Sequence, residues 1–166
     1  MSADADGALM RYWLMKSEPD EFSIDDLAAA AGRTTPWVGV RNYQARNFMR
    51  DQMRVGDRAF FYHSSCPEPG IAGIVEGCST AYPDATQFER KSPYFDPKAT
   101  REAPRWVHVE VKLVRKTRLV PLAELRAHPG LARMRILQRG NRLSITPVDP
   151  AEWSIITRLA GRTSQA

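Results

Sequence analysis

The sequence predicts a mixed α+β domain built around a curved sheet or barrel. Strand-length apolar runs interleave with short segments that begin at helix-capping residues, without the regular strand–helix alternation of a parallel α/β sheet. No repeat and no linker divides the chain, and its 166 residues, 43% of them apolar, suffice for one hydrophobic core. We therefore expect a single domain of strands with short flanking helices.

The first third of the chain contains one predicted strand and two predicted helices. Residues 12–15 (YWLM) form a short apolar run that ends at a Lys-Ser-Glu-Pro sequence, where the proline favours extended backbone before it. Ser23 is a hydroxyl N-cap followed by acidic residues, so we expect a short helix there that Gly32 ends. Asn42 is predicted to cap a second helix that runs through Asp51.

The middle of the chain contains two apolar strands and a long loop. Residues 58–63 (RAFFYH) and 70–76 (GIAGIVE) are predicted strands joined by a loop with two prolines. The two glycines of the second strand indicate a bulge or a close approach of backbone. Residues 81–104 are rich in Pro, Asp, Thr and Lys with four aromatic residues among them, which is typical of a long ordered loop.

The last third contains the clearest strand pattern. Residues 105–115 (RWVHVEVKLVR) place apolar side chains at 107, 109, 111 and 113 on one face and polar side chains at 108, 110 and 112 on the other. Shorter predicted elements follow: a helix over 121–128, an apolar segment at 134–137 and a strand at 143–145. Asp149 and Glu152 form a capping-box pattern that begins a final helix through residue 159.

Composition restricts the classes of partner. The formal charge of +5 favours a polyanionic partner. No stretch approaches the roughly 18 consecutive apolar residues of a membrane span, and the N-terminus lacks a signal-peptide pattern, so we expect a cytoplasmic protein with no membrane partner. Cys66 and Cys78 have no metal-ligand spacing and are expected to be reduced packing residues, so no metal and no cofactor is predicted.

Catalysis is not expected, because no phosphate-binding loop, nucleophile elbow, zinc-protease motif or CxxC pair occurs in the sequence. A Cys66 thiolate activated by His63 or His108 is the alternative, although isolated cysteines and histidines are usually structural. An enzyme acting on a nucleotide or nucleic acid stays open as a second class of function. A protein-interaction module that uses exposed aromatic residues stays open as a third.

Residues 35–47 (TPWVGVRNYQARN) contain the types of side chain that a base-binding pocket uses. Trp37 and Tyr43 offer rings for stacking, Asn42 offers an amide to a base edge, and Arg41 can neutralise neighbouring phosphates. A stacked base typically contributes ~1–3 kcal/mol. The alternative is that both aromatic residues belong to the core and that the arginines form a solvated face.

A series of motifs in one order resembles the EVE domain family. They are YWLMKSEP at 12–19, WVGVRNYQARN at 37–47, FFYHS at 60–64, GIAG at 70–73, AYPD at 81–84, YFDP at 94–97, Trp106, PLAEL at 121–125 and RLSITP at 142–147. The resemblance covers residues 11–160 and implies a PUA-like pseudo-barrel of mixed, mainly antiparallel strands with short flanking helices. Residues 1–10 are then a tail that we expect to be disordered, and residues 161–166 a C-terminal tail.

The resemblance also implies a pocket that takes in a single base. Its candidate residues are Lys16, Ser17, Trp37, Asn42, Tyr43, Tyr62, His63, Ser64, Leu143 and Ser144. We expect the aromatic members Trp37 and Tyr43 to stack on or line the base, and the polar members to contact its edge. The cations expected to contact phosphates, which position a strand without specifying its sequence, are Arg41, Arg46, Arg50, Lys91 and Arg105.

The resemblance implies a protein that reads a modified base in nucleic acid, and we expect a monomer with 5-substituted cytosine in DNA as the favoured target. A methyl group changes the shape and apolar area of the base edge, so a close-fitting pocket can distinguish it by ~1 kcal/mol or more. The same pocket can accept modified RNA, including tRNA, and the residues do not decide between the two. Trp13 and Trp106 are expected in the core, because both lie in apolar strands.

Overall fold

The computed structural model describes residues 10–161, and these form eight strands and four α-helices. The strands are β1 (Tyr12–Ser17), β2 (Thr34–Pro36), β3 (Arg58–His63), β4 (Gly70–Gly77), β5 (Tyr82–Pro83), β6 (Val107–His108), β7 (Glu110–Pro121) and β8 (Ile145–Val148). The helices are α1 (Ile24–Ala29), α2 (Tyr43–Asn47), α3 (Leu122–Ala127) and α4 (Pro150–Ala160). Apart from Met10 and Gly161, the two predicted tails lie outside the described residues.

Six strands form one mixed sheet in the order β2-β7-β4-β3-β1-β8, and β5 pairs with β6 separately. Strands β1 and β3 are parallel, whereas the other neighbours in the sheet are antiparallel. The predicted α+β class, with mixed, mainly antiparallel strands and short helices, is confirmed. No helix within residues 10–161 has the length and apolar character needed to span a bilayer.

Both faces of the sheet are buried, which explains the continuous apolar runs in its central strands. Trp13 on β1 belongs to a core covered by α1 and α2, whereas Leu14 belongs to a second core covered by α3 and α4. In the second core the rings of Trp153 and Phe60 stack with centroids 4.1 Å apart. Trp106 is 5% exposed, so both tryptophans that were expected in the core are buried.

The predicted helix caps are confirmed. Ser23 and Asp149 each form a capping box, and the Asn42 side chain accepts a hydrogen bond from the backbone N–H of Ala45. The predicted lengths were less accurate. Helix α1 ends before Gly32, and a π turn over Phe48–Gln52 follows α2, where one α-helix through residue 51 was expected.

The pattern at residues 105–115 gave the wrong limits for its strand. Residues 107–108 form β6, which pairs with β5, and β7 begins at Glu110 and continues to Pro121. His108 was expected on the polar face of this strand but is buried, and the ring of Tyr82 on β5 covers it at a centroid distance of 4.2 Å. The predicted strand at 143–145 lies later in the chain, as β8.

The glycines of β4 allow close backbone approach, as predicted. A Cβ atom on Gly70 would lie 2.4 Å from the carbonyl oxygen of Val120, and one on Gly73 would lie 2.5 Å from Cδ1 of Ile24. The pairing of β4 with β7 shifts register between Ile71 and Gly73. Strand β4 therefore curves closely against β7 and beneath α1.

Candidate functional site

A cavity of about 680 Å³ opens at the edge of the sheet where β1 and β3 end. The two strands are parallel, so their carboxyl ends meet there, and the N–H of Ser64 donates to the carbonyl of Ser17 across 2.9 Å. Residues 35–40 form a wall of the cavity, and Tyr94, Arg142 and Ser144 complete its lining. The cavity therefore collects residues from five distant parts of the chain.

Half of the predicted pocket residues line this cavity. They are Lys16, Ser17, Trp37, Ser64 and Ser144. The hydroxyl of Ser17 donates to the carbonyl of Phe22 across 2.6 Å, which fixes the turn after β1 and leaves the Ser17 oxygen as an acceptor. What each of these residues contacts in a ligand stays a prediction.

Lys16 brings an ammonium group to the cavity lining. The side chain is half-buried, and this burial lowers its pKa below the usual 10.5. Among residues 10–161 the ammonium has no hydrogen-bond or ion-pair partner. A partly desolvated cation without a partner is unfavourable by itself, so a ligand that supplies an acceptor or a negative charge gains from it.

Trp37 forms an apolar part of the lining and is 7% exposed. Its ring packs edge-on against Phe61, with centroids 5.4 Å apart, and its backbone N–H donates to Val109. The indole N–H donates to no residue in the described part of the chain. The burial of the ring fits a lining role better than stacking on an open face.

Tyr94 brings the long loop at 81–104 to the cavity. Its ring lies directly over Gly39, where a Cβ atom would be 2.7 Å from the ring, and Gly39 has a φ of +86°. Its hydroxyl donates to the Glu21 carboxylate, and burial together with this bond raises the pKa of Tyr94 to about 12. Tyr94 therefore stays neutral and joins two walls of the cavity.

Asp84 and Arg41 fix the base of the same loop. The carboxylate of Asp84 is fully buried and accepts hydrogen bonds from Gly39 N–H at 2.8 Å and from Thr86. Burial alone would raise the pKa of Asp84, but these bonds and the charge of Arg41 hold it below its usual value. Arg41 donates to Asp84, to Thr86 and to the carbonyls of Val40 and Tyr94, which uses all five of its N–H groups.

Two predicted pocket residues lie outside the cavity lining because they build α2. Asn42 is the N-cap of this helix, and its side-chain oxygen is used in that cap. The exposed ring of Tyr43 stacks on Trp106 at 4.7 Å, and the guanidinium of Arg46 lies 4.7 Å from the Tyr43 centroid on this stack. Tyr43 is therefore a surface aromatic residue on α2, outside the cavity lining.

The remaining three predicted pocket residues are also outside the lining. Tyr62 follows the alternation of β3 into the second core, and burial raises its pKa to about 12. His63 accepts a hydrogen bond at Nε2 from the backbone N–H of Ile24, which attaches the start of α1 to β3. Leu143 packs against the first core between the two cavity residues Arg142 and Ser144.

Most of the predicted phosphate ligands are engaged within the protein. Arg46 donates to the side chain of Asn47 and to the carbonyl of Arg105, and Arg105 lies 3.6 Å from a carboxylate oxygen of Asp96. Like Arg41, these two side chains fasten the long loop to the body of the domain. Their contacts with phosphate stay predictions.

The last two predicted phosphate ligands are exposed. Arg50 forms a two-point pair with the neighbouring Asp51, with distances of 2.8 and 3.0 Å. Lys91 has no hydrogen-bond or ion-pair partner among residues 10–161. The paired charge of Arg50 leaves Lys91 as the least compensated cation of the predicted set.

Several lining residues were not predicted. They are Glu18, Glu21, Phe22, Val38, Tyr94 and Arg142, among others. The aromatic residues in the long loop were a signal for Tyr94, since aromatic side chains in a polar loop need a packing partner. Nothing in the local sequence indicated that this partner is Gly39, 55 positions earlier. Within residues 10–161 no group of three or more His, Cys, Asp or Glu side chains is placed to hold a metal ion.

The chain matches the model of the EVE domain over residues 11–159. It is 45% identical to human thymocyte nuclear protein 1 over 168 residues, which cover 91% of this chain and 74% of that protein. It also resembles a crystal structure of human THYN1 in complex with 5-methylcytosine-containing DNA, with a TM-score of 0.87 and 44% identity over 93% of this chain and 99% of that one. A protein from Pseudomonas putida matches with a TM-score of 0.85 and 50% identity over 90% and 99% of the two chains.

Proposed function

Because the chain belongs to the EVE domain family, we propose that it binds DNA and takes a 5-substituted cytosine into the cavity at the ends of β1 and β3. The cavity itself is the observation that carries the proposal. Its volume of about 680 Å³ lies within the roughly 300–1,000 Å³ that small-ligand sites occupy. The DNA complex of human THYN1 supports this class of ligand. A base reaches such a cavity only when it leaves the stack.

The polar side chains of the lining suit the edge of a cytosine. The N3 and O2 atoms of the free base accept hydrogen bonds, and the Lys16 ammonium and the Trp37 indole N–H are donors without a partner among the described residues. The exocyclic amino group of cytosine donates, and carboxylates accept from it in known pairings. Glu18 supplies a carboxylate that has no side-chain partner among the described residues.

The 5-substituent is recognised by the apolar part of the lining. Phe22 and Val38 lie in the cavity wall, and Val38 is one of the exposed large apolar residues of the described chain. Burial of one methyl group contributes about 0.8 kcal/mol, which corresponds to an affinity ratio of about four. Discrimination of this size is a property of contact area, so it needs no residue dedicated to the methyl group.

The proposal is binding without turnover. The described lining of the cavity contains no histidine, cysteine or aspartate. The alternative catalytic residues Cys66, His63 and His108 therefore all lie outside the lining. The lining carboxylates and the lysine can form hydrogen bonds to a base without a proton transfer in the bound state. Incubation of modified DNA with the protein is therefore expected to return the DNA unchanged.

The experiment is fluorescence-polarisation binding to matched DNA and RNA oligonucleotides, each with and without one 5-methylcytosine. Trp37→Phe keeps a ring in the wall but removes the indole N–H, so we expect weaker binding to modified and unmodified DNA alike. Trp153→Phe is the matched control, because Trp153 packs in the second core on the opposite face of the sheet. Equal affinity of the wild-type protein for modified and unmodified DNA overturns the proposal, as does a preference for RNA.

A further inference from the structure

Residues 129–148 contain four arginines and no acidic residue. All four are exposed, and none forms a hydrogen bond or ion pair through its side chain with any other residue of 10–161. They are Arg133, Arg135, Arg139 and Arg142. We name residues 133–142 the arginine segment. The carboxylate of Glu152 on α4 is close enough to Arg135 for a coulombic interaction, and no other partner compensates these four charges among the described residues. Four cations in ten positions make a local positive potential.

The arginine segment is held in a defined shape although it contains little regular structure. The amide of Asn141 donates to the carbonyl of Arg135 across 2.6 Å, which closes the turn that contains Arg139. The amide of Gln138 donates to the carbonyl of Met134, and the buried side chain of Met134 anchors the segment in the second core. The arginines are therefore presented by a fixed backbone, so ordering them on a ligand costs less entropy than ordering a free tail.

The arginine segment leads directly to the rim of the cavity. Arg142 and Ser144 both belong to the lining, and the backbone N–H of Lys16 donates to the Ser144 carbonyl across 2.8 Å. This hydrogen bond fixes the end of the segment to the last part of β1. A ligand with one group in the cavity and negative charge outside it therefore meets the segment at the rim.

The arginines that were predicted as phosphate ligands are less available to bind an anion. Arg41 and Arg46 donate to carbonyl oxygens of the protein, Arg105 forms an ion pair with Asp96, and Arg50 pairs with Asp51. An arginine already used in this way gains less from a phosphate than one that has no partner. The two sets of cations thus differ in whether their N–H donors are already used within the protein.

We infer that the arginine segment binds the DNA phosphates that flank the base held in the cavity. The inference rests on the proposed function. It assigns the contacts with the DNA phosphates to residues 133–142, in place of the cations near α2. Arginine suits this contact, since its planar guanidinium donates to two phosphate oxygens together. Phosphate contacts position the strand and carry no information about the modification.

The test is the salt dependence of binding to one 5-methylcytosine oligonucleotide. Each arginine–phosphate contact contributes about 0.7–0.9 to the slope of log affinity against log salt concentration. We expect Arg133→Gln with Arg135→Gln to reduce the slope by about 1.5 and to leave the ratio of modified to unmodified affinity unchanged. We expect the same reduction from Arg139→Gln with Arg142→Gln.

The control removes the same charge elsewhere. Lys112→Gln with Arg158→Gln takes two exposed cations from β7 and α4, outside both the cavity and the arginine segment. This pair is expected to leave the slope within about 0.3 of the wild-type value, because a distant charge releases no counterion from the bound strand. Thermal melting of every variant shows whether the fold is intact.

The outcomes separate the two proposals. Wild-type protein that prefers the modified base, together with segment variants whose slopes match the control pair, overturns the role of the arginine segment and leaves the proposed function standing. Wild-type protein that has no preference, together with reduced slopes in the segment variants, supports the phosphate surface and overturns the modified-base reader. An equal slope reduction in the control pair also overturns the inference, since the effect is then one of net charge alone.

Discussion

The hydroxyl of Tyr94 donates a hydrogen bond to the carboxylate of Glu21, with 2.8 Å between Oη and Oε1. The bond joins the long loop at 81–104 to the turn after β1, two segments that are 73 residues apart in sequence. The same ring lies over Gly39, so Tyr94 connects the turn after β1 with the wall at residues 35–40. The shape of the cavity therefore depends on how closely these residues pack.

Gly39→Ala is expected to destabilise the protein more than the same change at Gly56. Both glycines have positive φ, +86° and +96°, so alanine at either one adds backbone strain of about 1–2 kcal/mol. Only at Gly39 does the new Cβ meet a neighbour, the Tyr94 ring at 2.7 Å, whereas Gly56 has open space within 4 Å. Urea unfolding of the two variants measures the difference, and equal losses would show that the ring moves aside without cost.

Asp84→Asn is expected to lower the free energy of unfolding by about 3 kcal/mol. The buried carboxylate accepts from Gly39, Thr86 and Arg41, and an amide in its place turns an NH₂ group toward donors. Asp51→Asn is the matched control, because this carboxylate is exposed and forms its ion pair with the neighbouring Arg50 at the surface. Chemical denaturation of both variants tests this, and similar small losses would contradict the structural role of Asp84.

The parts of this architecture that depend on neighbouring residues were predictable from the sequence. Ser23, Asn42 and Asp149 begin their helices as expected, since a capping side chain bonds to N–H groups two or three positions ahead. The strands β3 and β4 were predicted almost to the residue. Lys16 and Ser17 were placed in the pocket from the resemblance, and both lie in the cavity lining.

The rest depends on contacts between distant residues. Alternation along β3 sends Phe61 to one core and Tyr62 to the other, but a strand buried on both faces gives no sign of which face meets the cavity. Asn42 and Tyr43 have side chains suited to base contact, yet a helix cap and a stack on Trp106 use them. Residue type thus identified possible partners, and the pairing of β1 with β3 decided which of them meet.

The stability of the protein is expected to fall as the pH decreases through about 6.5. Burial lowers the pKa of His63; the charge of Asp25 opposes this shift to a smaller extent, and the charge of Lys116 adds to it. Burial also lowers the pKa of His108, against smaller opposing effects of Asp84 and Glu110. The unfolded chain therefore binds protons at a higher pH than the folded chain, so the free energy of unfolding is full above pH 6.5 and decreases below it.

His63→Gln tests the first of these two groups. Glutamine can accept the hydrogen bond from Ile24 N–H through its side-chain oxygen, but it does not titrate in this range. Urea unfolding at a series of pH values is expected to show a shallower decrease in the variant, with the remaining decrease due to His108. A variant profile that runs parallel to that of the wild type would mean that protonation of His63 is not coupled to folding.

Lys16→Met is expected to weaken DNA binding without lowering stability. In the free protein the half-buried ammonium has no partner among the described residues, so its replacement by an apolar side chain of similar length removes a desolvated charge and slightly increases the free energy of unfolding. In the complex the same change removes a donor to the base and is expected to cost about 1.5–3 kcal/mol, or roughly 10- to 150-fold in affinity.

Lys112→Met is the matched control, since Lys112 is exposed on β7 and outside the cavity lining. Fluorescence polarisation and urea unfolding on the same protein samples give both quantities. Loss of affinity and stability together would assign Lys16 to the fold, and unchanged affinity would remove it from the ligand site.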